Sequence, residues 1–216
     1  MTIAGITSGN DLQTQYVVDS NALPCLLGLL SNPHSDIRKT SCTAISNITA
    51  GTVQQIQAVI DSHIIFPLIQ LLSSAEFGER KQAAFAISNA IGGGNQQQIL
   101  FIVNEGCMRP LCDLLTVADD QVVMMTLDSL EKVLMVGDEE PRRLLIAAQG
   151  LIKMERLQMT SCNDIISKKA HEIMLMYFES EVEEVSEDDL IAEIEQEGNF
   201  TGNVDAEEHG ETPVAS

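Results

Sequence analysis

Tryptophan is absent from this 216-residue chain, and aromatic residues make up only 4% of it. The interior must therefore be built from Leu, Ile, Val, Met and Ala, which suits close packing of helices. Five cysteines are present (Cys25, Cys42, Cys107, Cys112, Cys162), but none forms a CxxC pair and no His stands at ligand spacing. That excludes the common zinc arrangements and leaves the cysteines as small buried hydrophobes in a reducing compartment. Basic residues are scarce: twelve against 32 acids, with none at all after position 178. No basic stripe exists to neutralise phosphates, so nucleic acid is not an expected partner. No apolar run approaches the ~20 residues of a membrane span, and no basic-then-apolar leader opens the chain. The two glycosylation sequons, at Asn47 and Asn199, read as chance. No Gly-rich loop joins a strand to a helix, and no Ser/His/Asp or Cys/His constellation presents itself. Catalysis, cofactors and metal are not expected.

What the chain has instead is repetition. Gln13–Asp19, Gln55–Asp61 and Gln98–Asn104 are copies of one segment. Each is followed at a fixed distance by a leucine pair: Leu29-Leu30, Leu71-Leu72, Leu114-Leu115. Ser46-Asn47-Ile48-Thr49-Ala50-Gly51 returns as Ser88-Asn89-Ala90-Ile91-Gly92-Gly93. A period of 42 to 43 residues predicts a solenoid of small helical units, each of which buries its apolar face only by stacking on its neighbours. Such a stack offers a long surface for another chain.

Four units are expected, at about 11–51, 52–94, 95–138 and 139–178, preceded by a remnant of another at 1–10. Each holds three helices. In the first these cover 12–19, 22–31 and 37–49. The middle one reads as apolar all round and buried. Ser35 or Asp36 is expected to cap the third helix, and Gly51 to end it in a left-handed cap. His34, His63 and His171 read as a turn, an inter-helix and a helix-surface residue. The pairs Arg38-Lys39, Arg80-Lys81, Arg142-Arg143 and Lys168-Lys169 read as solvated helix faces. Residues 179–216 hold 14 of the acids, and their composition predicts disorder, with a transient turn around Leu190–Ile194 and an acid-directed kinase site at Ser186. An uncovered first unit is expected to favour self-association.

Three helices per unit with Ser-Asn near the end of the third resembles the armadillo pattern. Leu23-Pro24-Cys25-Leu26-Leu27-Gly28-Leu29-Leu30-Ser31, Ser46 to Gly51, Gln55 to Ile60 and Pro110 to Thr116 resemble the C-terminal half of importin-α, at about its seventh to tenth repeats. The acidic tail also resembles that family's C-terminus. The resemblance implies an all-α, right-handed armadillo superhelix whose third helices line a concave groove for basic nuclear-localisation-signal peptides. Asn47 and Asn89 occupy the positions whose amides grip the peptide backbone, with Ser46 beside them. Thr43 and Phe85 stand where the family has tryptophans that stack on Lys or Arg. Gln82 replaces a carboxylate. In the third unit Asp128 and Lys132 replace Trp and Asn.

The resemblance thus implies an adaptor fragment in nuclear protein import, present in cytoplasm and nucleus, with a weakened groove. The alternative is a protein-interaction scaffold acting through its C-terminal units and tail, for which the family's export receptor is a natural partner. Importin-β binding is not expected, because nothing here resembles the family's basic N-terminal segment.

Overall fold

The computed structural model describes residues 2–137 and 139–182. The expectations for the tail beyond 182, including Ser186, Leu190 and Asn199, lie outside the described residues. Within them every element is helical. A short helix α1 (Ile3–Thr7) is followed by twelve more that run in threes: α2 (Asp11–Asp19), α3 (Leu23–Leu29) and α4 (Ser35–Thr49); α5 (Val53–Asp61), α6 (Ile65–Ser74) and α7 (Phe77–Gly93); α8 (Gln96–Asn104), α9 (Met108–Asp113, continued by a 3-10 turn to Thr116) and α10 (Asp120–Val136); α11 (Glu139–Ala147), α12 (Gly150–Thr160) and α13 (Asp164–Val182). The long third helices pack in sequence, α1 on α4, α4 on α7 and α7 on α10. Their contact faces are built from residues with no exposed surface, such as Ile45, Ile48, Ala83, Ile87, Ile91 and Leu130. Small residues (Ala83, Ala84, Ala86, Ala90) along α7 let both neighbours approach closely.

The middle helix of the first unit is less buried than its composition suggests. Leu23 and Leu26 lie inside, but Pro24, Cys25 and Gly28 face solvent. Cys25 and Cys162 are exposed, against expectation, whereas burial pushes the Cys42, Cys107 and Cys112 thiols up to about 12.

Two of the expected helix ends are built differently. His34, not Ser35 or Asp36, is the N-cap of α4, and its own N–H is held by Asn32 Oδ1 at 2.9 Å. Gly51 does not adopt a left-handed conformation. A Cβ there would lie 1.9 Å from the side-chain oxygen of Gln55, which caps its own helix from that spot. Gly9 has the same relation to Gln13. Glycine is present for close approach, not for its φ.

The left-handed residues are elsewhere, one at each junction between first and second helix: Asn21, His63, Gly106 and Gln149. Glycine fits this conformation freely, asparagine tolerates it, and other residues are strained by roughly 1–2 kcal/mol. His63→Gly is therefore expected to raise stability by about 0.5–1 kcal/mol, after subtracting glycine's larger unfolded-state entropy. The midpoint of urea unfolding checks this. A lower midpoint would show that the exposed imidazole contributes more than its backbone costs.

Candidate functional site

The asparagines flagged in the sequence occupy one register on successive third helices and do the same thing. Asn47 Nδ2 on α4 donates to Ala4 O at 3.2 Å and to Thr7 Oγ1 at 3.4 Å on α1. Asn89 Nδ2 on α7 donates to Ser46 O at 3.0 Å and Ser46 Oγ at 3.1 Å on α4. Each amide thus reaches back 43 residues to the preceding helix. A carbonyl partner fixes which amide atom is nitrogen, so Oδ1 is the atom that remains without a partner among the described residues. Both side chains are half-buried. Ser46, buried, serves as the acceptor that holds Asn89 and so orients it.

One turn earlier on the same helices lie the residues in the aromatic and acidic positions. Thr43 and Gln82 meet: Thr43 Oγ1 donates to Gln82 Oε1 at 3.0 Å, linking α4 to α7. The same hydroxyl lies 3.0 Å from Lys39 O, so its one proton is shared between the two acceptors. Phe85 is half-buried, and Lys81 Nζ sits 5.8 Å from its ring centre. The same ammonium is bonded to Asp119 Oδ2 at 2.6 Å, and Lys81 holds that carboxyl below its usual range. The ring therefore already has a cation over it, supplied by its own helix. The structure brings Thr43, Gln82, Phe85, Asn89 and Ser46 onto one pair of helices, α4 and α7. Further along, Asp128 and Glu131 on α10 are tied to Lys169 on α13, with Asp128 at 3.5 Å.

Several residues that hold this face in place are not evident from composition. Gln13, Gln55 and Gln98 each complete a capping box with Asn10, Thr52 and Asn95. Gln55 also donates to Asp11 O (3.0 Å) and Gln15 Oε1 (3.2 Å), and Gln98 to Val53 O (3.0 Å) and Gln57 Oε1 (2.9 Å). These glutamines link first helices just as the asparagines link third helices. The signal was available: a polar cap followed three residues later by Gln, at the repeat period. The basic pairs also differ from expectation. In each, one member reaches another helix: Arg38 to Glu79, Lys81 to Asp119, Arg142 to Tyr177 O and the Phe178 ring, and Lys169 to Glu131, while Arg143 and Lys168 make only local pairs with Glu139, Glu140 and Glu172. Their partners lie roughly one repeat away, so periodicity of charge, not local sequence, carried the information.

Two surface clefts, of about 380 and 350 Å³, lie at junctions of first and second helices, around Val103, Gly106 and Leu144 and around Ile60, His63 and Phe101. They contain none of the residues above. No metal-binding cluster occurs among the described residues.

Comparison with known proteins agrees with this architecture. The Armadillo/beta-catenin-like repeat family matches residues 10–50 and 95–131. Importin subunit alpha-3 of Arabidopsis thaliana is 49% identical over 195 residues, 85% of this chain and 37% of the relative. Importin subunit alpha-1b of Oryza sativa subsp. japonica is 44% identical, over 83% of this chain and 36% of the relative. The chain thus spans little more than a third of the length of these relatives. Among solved structures, a designed armadillo repeat protein in complex with the peptide (KR)4 superposes with a TM-score of 0.72 at 31% identity, covering 81% of this chain and 72% of that one. A computationally designed armadillo repeat protein for modular peptide recognition gives 0.72 at 30%, covering 80% of this chain and 71% of that one. Repeat period, helix triplets and sequence identity converge: this chain belongs to the armadillo-repeat family and is a homologue of importin subunit alpha.

Proposed function

We propose that this chain is an importin-α-like adaptor fragment, corresponding to the family's C-terminal repeats, that binds an extended basic peptide of the nuclear-localisation-signal kind along the face formed by α4 and α7. It would act in cytoplasm and nucleus and carry no catalytic activity. The observation that carries the reading is the pair Asn47 and Asn89: same register, nitrogen anchored to the preceding helix, oxygen without a partner among the described residues. An anchored amide is pre-organised, so a peptide N–H gains an acceptor without ordering a side chain. The amide that a signal peptide meets here offers mainly its acceptor half, because the donor half is in use. The designed armadillo protein bound to (KR)4 supports a basic ligand.

Binding should be weak. The single aromatic, Phe85, is covered by Lys81, and an incoming Lys or Arg must displace that ammonium or share the ring with it. Gln82 contributes no charge, and its oxygen is occupied by Thr43. Asn47→Ala with Asn89→Ala is expected to reduce binding of a fluorescent basic peptide below detection. Two hydrogen bonds of about 1 kcal/mol each are worth roughly 30-fold. Phe85→Trp with Thr43→Trp is expected to tighten it. Because each asparagine also braces the stack, anisotropy must be read on samples whose helical circular dichroism is intact. A folded double variant that binds as well as the parent would refute the assignment.

A second reading rests on α12 and α13, where Met159, Ile165, Leu175 and Met176 are each more than half exposed. Exposed apolar residues of this size on consecutive helices suit a protein partner at the C-terminal units, such as the family's export receptor.

A further inference from the structure

One ammonium of this chain already stands where a ligand's cation would have to stand. Lys81 Nζ lies 2.6 Å from Asp119 Oδ2 and 5.8 Å from the centre of the Phe85 ring. A point that meets a carboxylate and an aromatic ring together is what an incoming Lys or Arg requires. The point is open to solvent, since the Lys81 side chain keeps 26% of its surface and that of Asp119 21%. Lys81, Phe85 and Asn89 follow one another at four-residue steps along α7 and so share a face. Phe85 is therefore one turn, roughly 6 Å along the axis, from the amide that holds the peptide backbone.

The two partners of this pair differ in how firmly they are held. Asp119 is the N-cap of α10, and its Oδ1 accepts from the Val122 N–H at 3.2 Å. That bond fixes the carboxylate and leaves Oδ2 for the cation. Lys81 is held only by its ammonium, which has no second hydrogen bond or ion pair among the described residues. Its stem is long and flexible, so it can leave while the acid stays.

We infer that Asp119 receives a basic side chain of the bound peptide and that Lys81 is its resident competitor, which gives up the position when the peptide arrives. This inference rests on the peptide-binding reading above and deepens it: Asn89 takes the backbone, Phe85 the stem and Asp119 the charge. The carboxylate that Gln82 lacks is supplied by the next third helix. Exchanging one cation for another leaves the charge of the site unchanged, so little is gained. The face then binds weakly although both its ring and its acid are present.

The test uses the full chain and a labelled octapeptide of alternating Lys and Arg, read by anisotropy on samples with intact helical circular dichroism. Lys81→Ala uncovers both groups, and it is expected to tighten binding about tenfold, the size of one ion pair with its ring contact at a partly exposed site. Adding Asp119→Asn, which keeps a good N-cap, should return the affinity to near that of the parent. Lys168→Ala, an exposed charge on α13, controls for net charge and should change affinity less than twofold. The inference is overturned if Lys81→Ala binds no tighter than the parent, or if Lys168→Ala tightens binding as much. A gain that survives Asp119→Asn would equally overturn it, because the ring alone would then account for the effect. If neither the parent nor Lys81→Ala binds the peptide, the peptide-binding reading itself fails, and this inference with it.

Discussion

Arg38→Met is expected to lower the midpoint of urea unfolding markedly, since removing the half-exposed guanidinium leaves the buried carboxylate of Glu79 uncompensated. Glu79, 1% exposed, lies between α4 and α7 and is held at both oxygens by Arg38, Nε to Oε2 and Nη2 to Oε1, each at 2.8 Å. Arg38 also clamps the preceding loop by donating to Asn32 O at 2.6 Å and Pro33 O at 3.0 Å. Without the guanidinium, Glu79 keeps only Ser35 as a side-chain donor. The double variant Arg38→Met with Glu79→Leu should recover a large part of the loss, because replacing both charges removes the stranded one. Urea unfolding followed by circular dichroism measures both. If the double variant were less stable than Arg38→Met alone, the loss would lie in the loop contacts and not in the buried carboxylate.

The same pair sets an acid limit. Arg38 lowers the Glu79 pKa below its ordinary 4.5, a hydrogen-bonding effect larger than the opposing desolvation. A carboxyl depressed on folding stabilises the native state fully above its unfolded pKa. Protons then bind the unfolded chain first, and the contribution is lost as pH falls through the folded value. Asp119, lowered by Lys81, has the same sign. Wild-type stability should therefore fall below about pH 4.5, and the fall should be shallower in the double variant.

Gln98→Glu is expected to cost about 3 kcal/mol at pH 7, although local rules rate it as harmless. Glutamate at the third position of a helix completes a capping box as well as glutamine does, and its charge suits the helix N-terminus. Here the side chain is 3% exposed, and its nitrogen donates to Val53 O and Gln57 Oε1. A carboxylate would turn an oxygen toward those two acceptors inside the stack, losing two hydrogen bonds and burying a charge. The folded state then favours the protonated acid, so the folded pKa is raised and the penalty grows as pH rises through it. The difference from wild type should be smaller at pH 4 than at pH 8. A pH-independent difference would show that the cost is packing, not charge. Gln98→Leu, which removes the cap and both donors without a charge, should lose about 2 kcal/mol at every pH.

The sequence by itself determined the fold class, the triplet of helices and the register of the asparagines. All three depend on periodicity: apolar spacing at the helical period, and a 42- to 43-residue return of the same strings. Solenoid neighbours are sequence neighbours, so the contacts of one unit are printed again one period later. Only the tertiary structure decided what the matched residues bond to. Asn47 and Asn89 spend their donors on the preceding helix, Thr43 meets Gln82, and Lys81 covers Phe85. Gly51 is required by the oxygen of Gln55 and not by its own φ, while the left-handed strain sits at His63 and Gln149. The physical reason is one of scale. Helix period and repeat length are set over tens of residues and tolerate single changes. A hydrogen bond is decided within a few tenths of an ångström, by side chains on two helices whose separation no single segment specifies.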